Sequence, residues 1–330
     1  MAIDPQRDET CPLCTSYAFF PTGQTLDVVN ILTRWQTEAG ITLRPSVWQE
    51  YTRPSHRQVT LYRCQQCGFA RFEPPLAGSR EFYADITAKE YFVPEKWEFF
   101  EAVRDIKRHK SHRVLDVGCG GGEFLRLLGD GTRGVECFGY EFSPAAADLA
   151  RSRGHTVYNG PFPEIVLEAE GSKPFDAVCV FQVIEHVEDP IGFIKKLGRL
   201  LRARGMLIIS VPNADGPLRF FSDALTDVPP HHVTRWCSSA FHIGMPRLGY
   251  KVEKVAHEPL PHYLWDGYLP VMWDSNIWPA VCCRLLDSLK KMEKAERILW
   301  FIQKMKSLRV KWLWGVPGHT LYTVLQFLGT

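Results

Sequence analysis

Residues 114–122, with the sequence VLDVGCGGG, constrain the fold more than any other part of this chain. They combine a short apolar strand with a glycine-rich turn, and a helical pattern begins directly afterwards at Glu123. Glycine has no Cβ, so it permits positive φ and lets the backbone come close to a ligand. The N–H groups at the start of the following helix favour a polar or anionic ligand. The stretch therefore predicts an α/β fold with a nucleotide-like cofactor. The alternative is a tight strand–helix turn without a ligand.

The spacing of the glycines narrows the choice of cofactor. Gly118, Gly120 and Gly122 form G-x-G-x-G, whereas the dinucleotide fingerprint G-x-G-x-x-G has its third glycine where this chain has Glu123. Asp116 lies two positions before the first glycine, and its carboxylate would repel a pyrophosphate but suits a cationic amino acid. This pattern resembles motif I of the class I S-adenosylmethionine (SAM) methyltransferases. A nicotinamide-dependent dehydrogenase is the alternative, which Asp116 and Glu123 disfavour.

Two further stretches extend the resemblance. Glu141 ends the second predicted strand, where an acidic residue can accept hydrogen bonds from both ribose hydroxyls. Residues 175–190 resemble the family's F-D-x-[I/V] strand and the E-H-containing segment that follows it. Because the carboxyl ends of parallel strands line the ligand crevice, Gln182 and His186 should face the site. The resemblance implies a cofactor site formed by Asp116, Gly118, Cys119, Gly120, Gly122, Glu141, Phe142 and Gln182.

A separate set of motifs lies near the N-terminus. Two C-x-x-C motifs are formed there by Cys11, Cys14, Cys64 and Cys67. Each pair can supply two thiolates, and two pairs complete the tetrahedral four-cysteine site of a structural Zn²⁺ ion. Strand-like alternation at 41–44, 59–63 and 69–72 favours a zinc-ribbon-like module with an inserted loop. The alternative is a redox-active C-x-x-C, which requires a βαβ context that this region lacks.

The order of predicted elements gives the fold class. Strands alternate with helices from residue 113 onwards, including a helix at 191–204 that ends at Gly205 and a strand at 206–213. This alternation is typical of a doubly wound α/β sheet, and the resemblance implies a seven-stranded, Rossmann-like sheet with an antiparallel last strand. The predicted domains are a zinc-ribbon-like module (1–79), a helical connector or lid (80–110), the methyltransferase domain (111–259 and 317–330) and a helical insertion (260–316).

Histidines provide the candidate catalytic groups. His231 and His232 follow a Pro-Pro pair after the fifth predicted strand, and His186 follows the fourth. Histidine titrates near neutral pH and is the most frequent general base. Sugar C-methyltransferases with an N-terminal zinc module look similar, with an acid–His pair where this chain has two histidines. We expect His186, His232 or His231 to take the acceptor's proton. The alternatives are a loop-capping role for His186 and a metal role for the pair, although no further partner shows metal spacing.

These features predict a SAM-dependent methyltransferase that acts on an oxygen or carbon of a small molecule. The resemblance implies a sugar, a polysaccharide precursor or a natural product as the acceptor. One alternative is a lipid or quinone-like acceptor at the membrane surface, and another is a non-catalytic zinc protein that retains the SAM fold. Paired C-x-x-C motifs also bind nucleic acid, but residues 1–79 contain no Lys/Arg cluster, so such a partner is disfavoured.

Composition sets expectations about size and location. A chain of 330 residues that is 45% hydrophobic allows about two domains, and a net charge of +2 disfavours general nucleic-acid binding. Residues 1–9 contain no apolar signal segment, and no apolar run reaches the roughly 18 residues of a membrane span. Ten cysteines in this context favour reduced thiols. We therefore expect a cytoplasmic protein.

The insertion at 260–316 is rich in tryptophan and positive charge. It contains six of the ten tryptophans, and the stretch from Arg284 to Lys311 has a net charge of +6. A basic amphipathic helix flanked by tryptophan can lie on an anionic membrane, here through 282–314 at the inner face, or it can cap the active site. We favour the cap. The predicted apolar stripe starts at Cys282 and continues with Leu285, Leu286, Leu289, Met292, Leu299, Ile302, Met305 and Leu308.

Overall fold

The computed structural model describes residues 10–86, 96–171, 173–274 and 293–329. The N-terminal elements are β1 (Phe19–Asp27), α1 (Val28–Thr37), α2 (Pro45–Tyr51), β2 (Gln58–Cys64), β3 (Ala70–Glu73) and α3 (Arg80–Ile86). The predicted strands at 59–63 and 69–72 correspond to β2 and β3. The prediction for 41–44 was wrong, because these residues form irregular chain before α2. Pro45 in the first turn of α2 favours an extended Arg44, and sequence alternation alone does not distinguish such a segment from a strand.

The later elements form a large sheet with its helices. They are α4 (Trp97–Arg108), β4 (Arg113–Val117), α5 (Glu123–Gly131), β5 (Glu136–Tyr140), α6 (Pro144–Ser152), β6 (Thr156–Tyr158), α7 (Glu164–Glu170), β7 (Phe175–Phe181), α8 (Pro190–Gly198), β8 (Leu201–Pro212), β9 (Thr234–Arg235), α9 (Ser238–Gly244), β10 (Tyr250–Pro261), α10 (Trp265–Asp274), α11 (Lys294–Ser307) and β11 (Trp312–Phe327). Seven strands pair in the order β10-β11-β8-β7-β4-β5-β6. Only β11 runs antiparallel to both neighbours within the described part of this sheet. The predicted doubly wound, seven-stranded sheet is confirmed.

Both faces of the central strands are buried. In β4, Leu115 packs into the core on one face and Val114 into the core on the other. In β7, Val178 and Val180 share the first core, while Cys179 belongs to the second. Successive side chains of a strand point to opposite faces of the sheet, and here the side chains on both faces are apolar. This is the pattern of a parallel strand covered by helices on each face. This packing fixes the carboxyl ends of β4 and β7 side by side, where the glycine turn and Gln182 begin.

The boundary between α8 and β8 differs from the sequence-based prediction. The helix ends at Gly198 and the strand starts at Leu201, so the prediction of a helix to residue 204 was wrong. The register with β7 shifts between the pairs Phe175–Leu201 and Ala177–Met206, which indicates a bulge. Buried Leu201 gains a strand partner across this bulge. Tertiary pairing therefore overrides the helical propensity of the Arg-rich segment.

The N-terminal sheet is completed by β9, a strand that lies about 160 residues later in the chain than β3. Its order is β1-β2-β3-β9, and β9 pairs through Ala70–Arg235 and Arg71–Thr234. Trp236, directly after β9, is fully buried and its ring lies 4.8 Å from that of Phe69. The segment that carries the histidine pair is thus held against the cysteine-containing module. The proposed domain boundaries stay a prediction.

The insertion forms a small core with a different stripe from the predicted one. Helices α10 and α11 pack together around Trp265, Leu269 and Phe301, while Leu299 and Leu308 are exposed. Both leucines belong to the predicted apolar stripe, whereas the buried face of α11 is formed by Ile298, Phe301 and Ile302. No helix in the described ranges is long and apolar enough to cross a membrane. The predicted stripe residues Cys282, Leu285, Leu286, Leu289 and Met292 lie outside the described residues.

Candidate active site

The glycine turn after β4 adopts a backbone that requires glycine. Gly118, Gly120 and Gly122 have φ angles of 83°, 53° and 87°. A Cβ on Gly118 would lie 2.6 Å from Val183 Cγ2, and one on Gly122 would lie 2.5 Å from His155 Cδ2. The N–H groups of Gly118 and Cys119 donate to the carbonyl of Tyr140 at 2.7 and 3.1 Å, which anchors the turn to β5. The turn is therefore a fixed cradle close to the sheet edge.

Two buried carboxylates lie beside the turn. Glu141 accepts hydrogen bonds from the N–H groups of Gly120 and Ser143, both at 2.8 Å. Asp116 is 2% exposed, and its Oδ1 has no hydrogen-bond partner among the described residues. Burial, and next the charge of Glu141, raises the pKa of Asp116 well above its usual range. Burial also raises the pKa of Glu141. An uncompensated carboxylate and a glycine cradle together fit a ligand with a cationic group.

A cavity of about 300 Å³ opens at the carboxyl ends of β4 and β7. Gln182, the first residue after β7, has a φ of 55°, a conformation that non-glycine residues rarely adopt and that is typical of functional sites. Several predicted site residues line this cavity, namely Gly118, Cys119, Gly120, Gln182, His186, His231 and His232. Phe142 lies outside the lining set, is 46% exposed and packs against Tyr140. The structure thus brings the glycine turn and all three histidines to one space.

The three histidines form a compact cluster. The ring centroids of His186, His231 and His232 lie 4.4–4.7 Å apart. Burial lowers the pKa of His186 to about 4. Burial, with the neighbouring imidazoles as the next cause, lowers the pKa of His231 and of His232 well below the usual value. The cluster is therefore neutral near pH 7, and each ring carries one lone pair.

Hydrogen bonds set the tautomer of each ring. The Nδ1 of His186 lies 2.6 Å from the carbonyl oxygen of His231, and Tyr83 donates to the same oxygen at 3.1 Å. The Nδ1 of His231 lies 3.1 Å from the carbonyl oxygen of Thr226. The Nδ1 of His232 lies 3.3 Å from Asp227 Oδ1. Because a carbonyl oxygen only accepts hydrogen bonds, these contacts favour the tautomer with the proton on Nδ1 and the lone pair on Nε2. Tyr83 Oη also lies 2.8 Å from His186 Nδ1, and the carbonyl of Gln182 makes a further hydrogen bond with the His186 ring.

Buried carboxyl groups surround the cluster. Glu185 is fully buried, and neither of its oxygens has a hydrogen-bond partner among the described residues. Burial raises its pKa to about 8. Burial also raises the pKa of Glu258 to about 7, and its Oε2 accepts from the N–H of Thr320 at 3.2 Å. Glu98 is buried at the same cavity, and burial raises its pKa as well.

The four predicted metal-ligating cysteines also come together. Cys11 Sγ lies 3.7 Å from Cys67 Sγ, and Cys14 Sγ lies 3.5 Å from Cys64 Sγ. All four side chains are buried, and their sulfur atoms lie within 4.8 Å of one another. A tetrahedral ion with Zn–S bonds of about 2.3 Å requires sulfur atoms about 3.8 Å apart. The donor set and its spacing fit a structural zinc ion.

Several groups at the cavity were not predicted from the sequence. Asp227 and Tyr83 hold the histidines, and Glu185, Glu98 and Glu258 add buried carboxylates. The signal for Tyr83 was its place in an aromatic-rich stretch that we considered as a lid. Glu185 is part of the E-H segment, but nothing in that pattern shows that its side chain has no partner.

Comparison with protein families agrees with this geometry. Residues 89–255, about half of the chain, match a family described as a methyltransferase domain. The chain belongs to this methyltransferase family. The predicted resemblance to class I SAM-dependent methyltransferases is therefore confirmed, and the methyltransferase domain includes the glycine turn, Glu141 and His186.

Similar proteins are mainly methyltransferases. This methyltransferase is 32% identical over 133 residues to the ubiquinone biosynthesis O-methyltransferase of Caulobacter sp. (strain K31), which covers 39% of this chain and 51% of that protein. It is 30% identical over 184 residues to the protein of the same name from Bradyrhizobium diazoefficiens, covering 54% and 67%. The chain spans about half the length of the first of these relatives.

Among solved structures, a SAM-dependent methyltransferase from Archaeoglobus fulgidus is 17% identical, covering 69% of this chain and 94% of that one with a TM-score of 0.41. The plantazolicin methyltransferase BamL is 15% identical, covering 70% and 83% with a TM-score of 0.43.

Proposed function

We propose that this methyltransferase transfers a methyl group from SAM to an oxygen of a small hydroxylated acceptor bound in the cavity. The observation that carries the proposal is the shared cavity, which joins the glycine turn of a cofactor site to three neutral imidazoles. Donor and acceptor held in one water-poor space at a fixed geometry account for much of the catalysis that methyl transfer requires.

The cofactor would be held by residues of the glycine turn and its two acids. In this proposal Glu141, which already accepts from the N–H of Gly120, binds the ribose hydroxyls, and Asp116, whose Oδ1 has no hydrogen-bond partner among the described residues, faces the cationic amino acid part. Gly118 and Gly120 leave room for the ligand, because no Cβ projects from them. When bound, SAM supplies a methyl group that its sulfonium already activates. Cys119, Gly122, Phe142 and Gln182 complete the proposed cofactor site.

The chain itself must remove the acceptor's proton, and we assign this to the histidine cluster. His186 is the first candidate, because its Nδ1–H is fixed by the carbonyl of His231 and its Nε2 lone pair lies at the cavity. His232 is the second candidate, since Asp227 orients it in the same way. His231 is the third. For transfer to oxygen one such group suffices, whereas transfer to carbon also requires a group that stabilises an enolate.

The relatives support a quinone-like acceptor over a sugar. They are named ubiquinone biosynthesis O-methyltransferases, at 30–32% identity. The cavity lining adds Phe99, Phe181 and Tyr263, which suit an aromatic acceptor. Sugars, polysaccharide precursors and natural products remain in the panel of acceptors to be tested.

Labelled SAM and a panel of acceptors test this function. The panel contains a dihydroxylated aromatic with a prenyl tail, nucleotide sugars, lipid-linked sugars and polyketides, with mass detection of the product. We expect an O-methylated aromatic. His186→Asn should lower turnover by about 10²-fold or more while the calorimetric affinity for SAM stays unchanged. No product from any acceptor, together with no SAM binding, would favour the non-catalytic alternative. A product methylated on carbon would contradict the oxygen assignment.

We propose a structural zinc ion at Cys11, Cys14, Cys64 and Cys67. The supporting observation is the tetrahedral spacing of four buried sulfur atoms. A site closed by four protein ligands has no position for a substrate, so its role is to hold the N-terminal module together.

We propose a cytoplasmic location with contact to an anionic membrane through the insertion. Around α11, Leu299, Trp300 and Leu308 are 54%, 39% and 58% exposed. The basic residues of the same segment are Lys304, Lys306, Arg309 and Lys311. Flotation with phosphatidylglycerol vesicles should recover the protein at low salt, and Trp300→Ser should reduce recovery several-fold. Equal recovery with neutral vesicles would contradict the contribution of charge. No recovery with phosphatidylglycerol vesicles at low salt would contradict the membrane contact and leave the cap as the role of this segment.

A further inference from the structure

We propose that His186, His231 and His232 form a binding site for a divalent transition-metal ion, and that an acceptor oxygen occupies the ion's open coordination position. The metal site itself is independent of the proposed function. Its second half, the acceptor oxygen, rests on that function and specifies how the cluster performs it.

The first observation is the convergence of ligand atoms. One ring nitrogen of each histidine, Nδ1 or Nε2, lies within 4.8 Å of a ring nitrogen of each of the other two. A tetrahedral ion with Zn–N bonds of about 2.0–2.1 Å requires nitrogen atoms about 3.3 Å apart. Small rotations of three side chains close that difference. The three rings come from two segments, the turn after β7 and the loop before β9, so the fold brings together ligands that are 45 residues apart.

The second observation is the environment of the three Nδ1 atoms. Histidine ligands of metals almost always donate their other ring N–H to a carbonyl or a carboxylate, which fixes the tautomer and raises the basicity of the ligand. Here the acceptors are the carbonyl of His231 for His186, the carbonyl of Thr226 for His231, and Asp227 for His232. All three rings therefore present Nε2 as the atom with the lone pair.

The third observation is Glu185, a buried carboxyl group beside the cluster. It is fully buried, and its oxygens have no hydrogen-bond partner among the described residues. Its Oε1 lies 3.9 Å from His186 Nε2. A buried carboxyl group ionises more readily when a cation lies beside it. A divalent ion at the cluster is a cation within reach of this carboxylate.

The donor set determines the class of ion and of ligand. Imidazole nitrogens suit Zn²⁺, Co²⁺, Ni²⁺ and Fe²⁺ better than Mg²⁺ or Ca²⁺, which take oxygen ligands. Three protein ligands leave a fourth position open, as in catalytic zinc sites and in contrast to the four-cysteine site. The open position faces the acceptor cavity, so a hydroxyl or phenolic oxygen is the ligand that fits. With an ion bound, the three lone pairs serve the metal in place of a histidine base. The ion lowers the pKa of the acceptor hydroxyl, and the proton passes to a carboxylate that lines the cavity, such as Glu258.

The test begins with metal binding, which requires neither SAM nor the acceptor. The full-length protein is stripped of metal, dialysed against Co²⁺ and analysed for metal content and by X-ray absorption. We expect two ions per chain, one with sulfur ligands at about 2.3 Å and one with nitrogen and oxygen ligands at about 2.0–2.1 Å. His231→Asn should lose the second ion and keep the first. Asp227→Asn should weaken the second site about 10–100-fold.

Controls separate the two sites from each other and from misfolding. His242→Asn makes the same chemical change at an exposed histidine of α9 and should keep both ions. Circular dichroism and SAM calorimetry verify that His231→Asn is folded. One ion per chain in the wild type, bound through sulfur alone, overturns the metal proposal. A second ion that survives in His231→Asn overturns it as well.

Activity then tests the acceptor-oxygen half. Methyl transfer by the two-ion form should exceed that of the one-ion form by at least 10-fold, and acceptor binding should shift the nitrogen-site cobalt spectrum. If a second ion binds but causes neither this spectral shift nor a change in turnover, the acceptor-oxygen half is overturned and the metal site itself stands. If the wild type takes up only the sulfur-ligated ion under these conditions and still transfers methyl groups, the metal site is overturned while the proposed function stands.

Discussion

Asp116 illustrates how one residue can favour ligand binding at the expense of stability. Its side chain is 2% exposed, and Oδ1 has no partner among the described residues. Its raised pKa means that the folded chain without cofactor holds a proton that the unfolded chain releases above about pH 4. Stability is therefore lost as pH rises above that value, and the ionised group becomes favourable only when a cation lies beside it.

Replacing Asp116 should consequently separate stability from cofactor affinity. Asp116→Asn removes the buried charge, so we expect the cofactor-free protein to melt a few degrees higher at pH 7.5. The affinity for SAM should fall about 10-fold or more, because the compensating carboxylate is lost. Calorimetry and thermal unfolding measure the two effects, with Glu136→Gln at the exposed first residue of β5 as the control. An unchanged affinity for SAM would remove Asp116 from the proposed cofactor site.

Glu258 should make stability depend on pH around neutrality. Its pKa is about 7 because of burial and the nearby Glu98, whereas the unfolded value is about 4.5. The folded chain therefore binds more protons than the unfolded chain between these values, and the free energy of unfolding falls as pH rises through this window. We expect wild type to lose about 2 kcal/mol more than Glu258→Gln between pH 5 and 8 in urea unfolding. Glu253→Gln on the same strand should behave as wild type, and equal slopes for both variants would contradict the assignment.

At the scale of single site residues, motifs were informative and isolated side chains were not. The positions of Gly118, Gly120 and Gln182 followed from one turn and one strand end, which local sequence determines. The convergence of His186 with His231 depends on β9 pairing with β3, and no local pattern encodes that contact. The lack of a hydrogen-bond partner for the Glu185 carboxyl group among the described residues likewise depends on the folded structure and is not visible in the sequence.

Among the elements, the glycine turn allows two effects of a glycine substitution to be distinguished. One is the backbone strain of a positive φ, and the other is the close contact of a new Cβ with its neighbours. Gly118 and Gly154 have similar φ angles, 83° and 89°. A Cβ on Gly118 would lie 2.6 Å from Val183 Cγ2, whereas a Cβ on Gly154 would meet nothing within 4 Å. An alanine at either position carries the strain of positive φ, about 1 kcal/mol, but only one of them disturbs the site.

We therefore expect different outcomes from the two alanine variants. Gly154→Ala should lower the free energy of unfolding by about 1 kcal/mol and leave SAM affinity unchanged. Gly118→Ala should show at least that loss and bind SAM more than about 10-fold more weakly, because Val183 and the turn must shift apart. Urea unfolding and calorimetry report both quantities. Equal SAM affinities would show that the close contact is not needed for the cofactor site.

The ends of strands and helices could be predicted from the sequence where both faces of a strand are buried. The predictions were wrong where pairing with a distant strand determines where an element ends. Strands β4 and β7 were predicted to the residue, since both faces are apolar. The end of α8 was not, because the bulge at the start of β8 depends on the partner strand β7. In α11, the stripe predicted from spacing includes the exposed Leu299 and omits the neighbouring Ile298, which packs in the small core of the insertion.

For the whole molecule, Val233 connects the N-terminal module directly to the active site. The N–H of Phe72 in β3 donates to the carbonyl of Val233 at 3.0 Å. The N–H of Val233 donates to the carbonyl of Glu185 at 2.8 Å. Val233 directly follows His232, so these two hydrogen bonds tie the cysteine module to both segments of the histidine cluster. The hydrogen bonds of Val233 could not be predicted from the sequence, because neither the cysteine motifs nor the histidine pair indicates them.

Removing the proposed zinc ion should therefore disturb the acceptor side of the site more than the cofactor side. Cys67→Ser removes one sulfur ligand, and we expect loss of zinc and a fall in melting temperature of at least about 5 °C. Hydrogen exchange at the amides of Phe72 and Val233 should accelerate, because β3 no longer fixes the segment after His232. The apparent affinity for the acceptor should drop several-fold, whereas SAM affinity should change little, since the glycine turn is anchored to β5. Cys137→Ser makes the same thiol-to-hydroxyl change in β5, outside the four-cysteine cluster, and should keep its zinc. Equal losses of SAM and acceptor affinity in Cys67→Ser would mean that the module supports the whole domain, whereas a selective loss on the acceptor side is the signature of the Phe72–Val233–Glu185 connection.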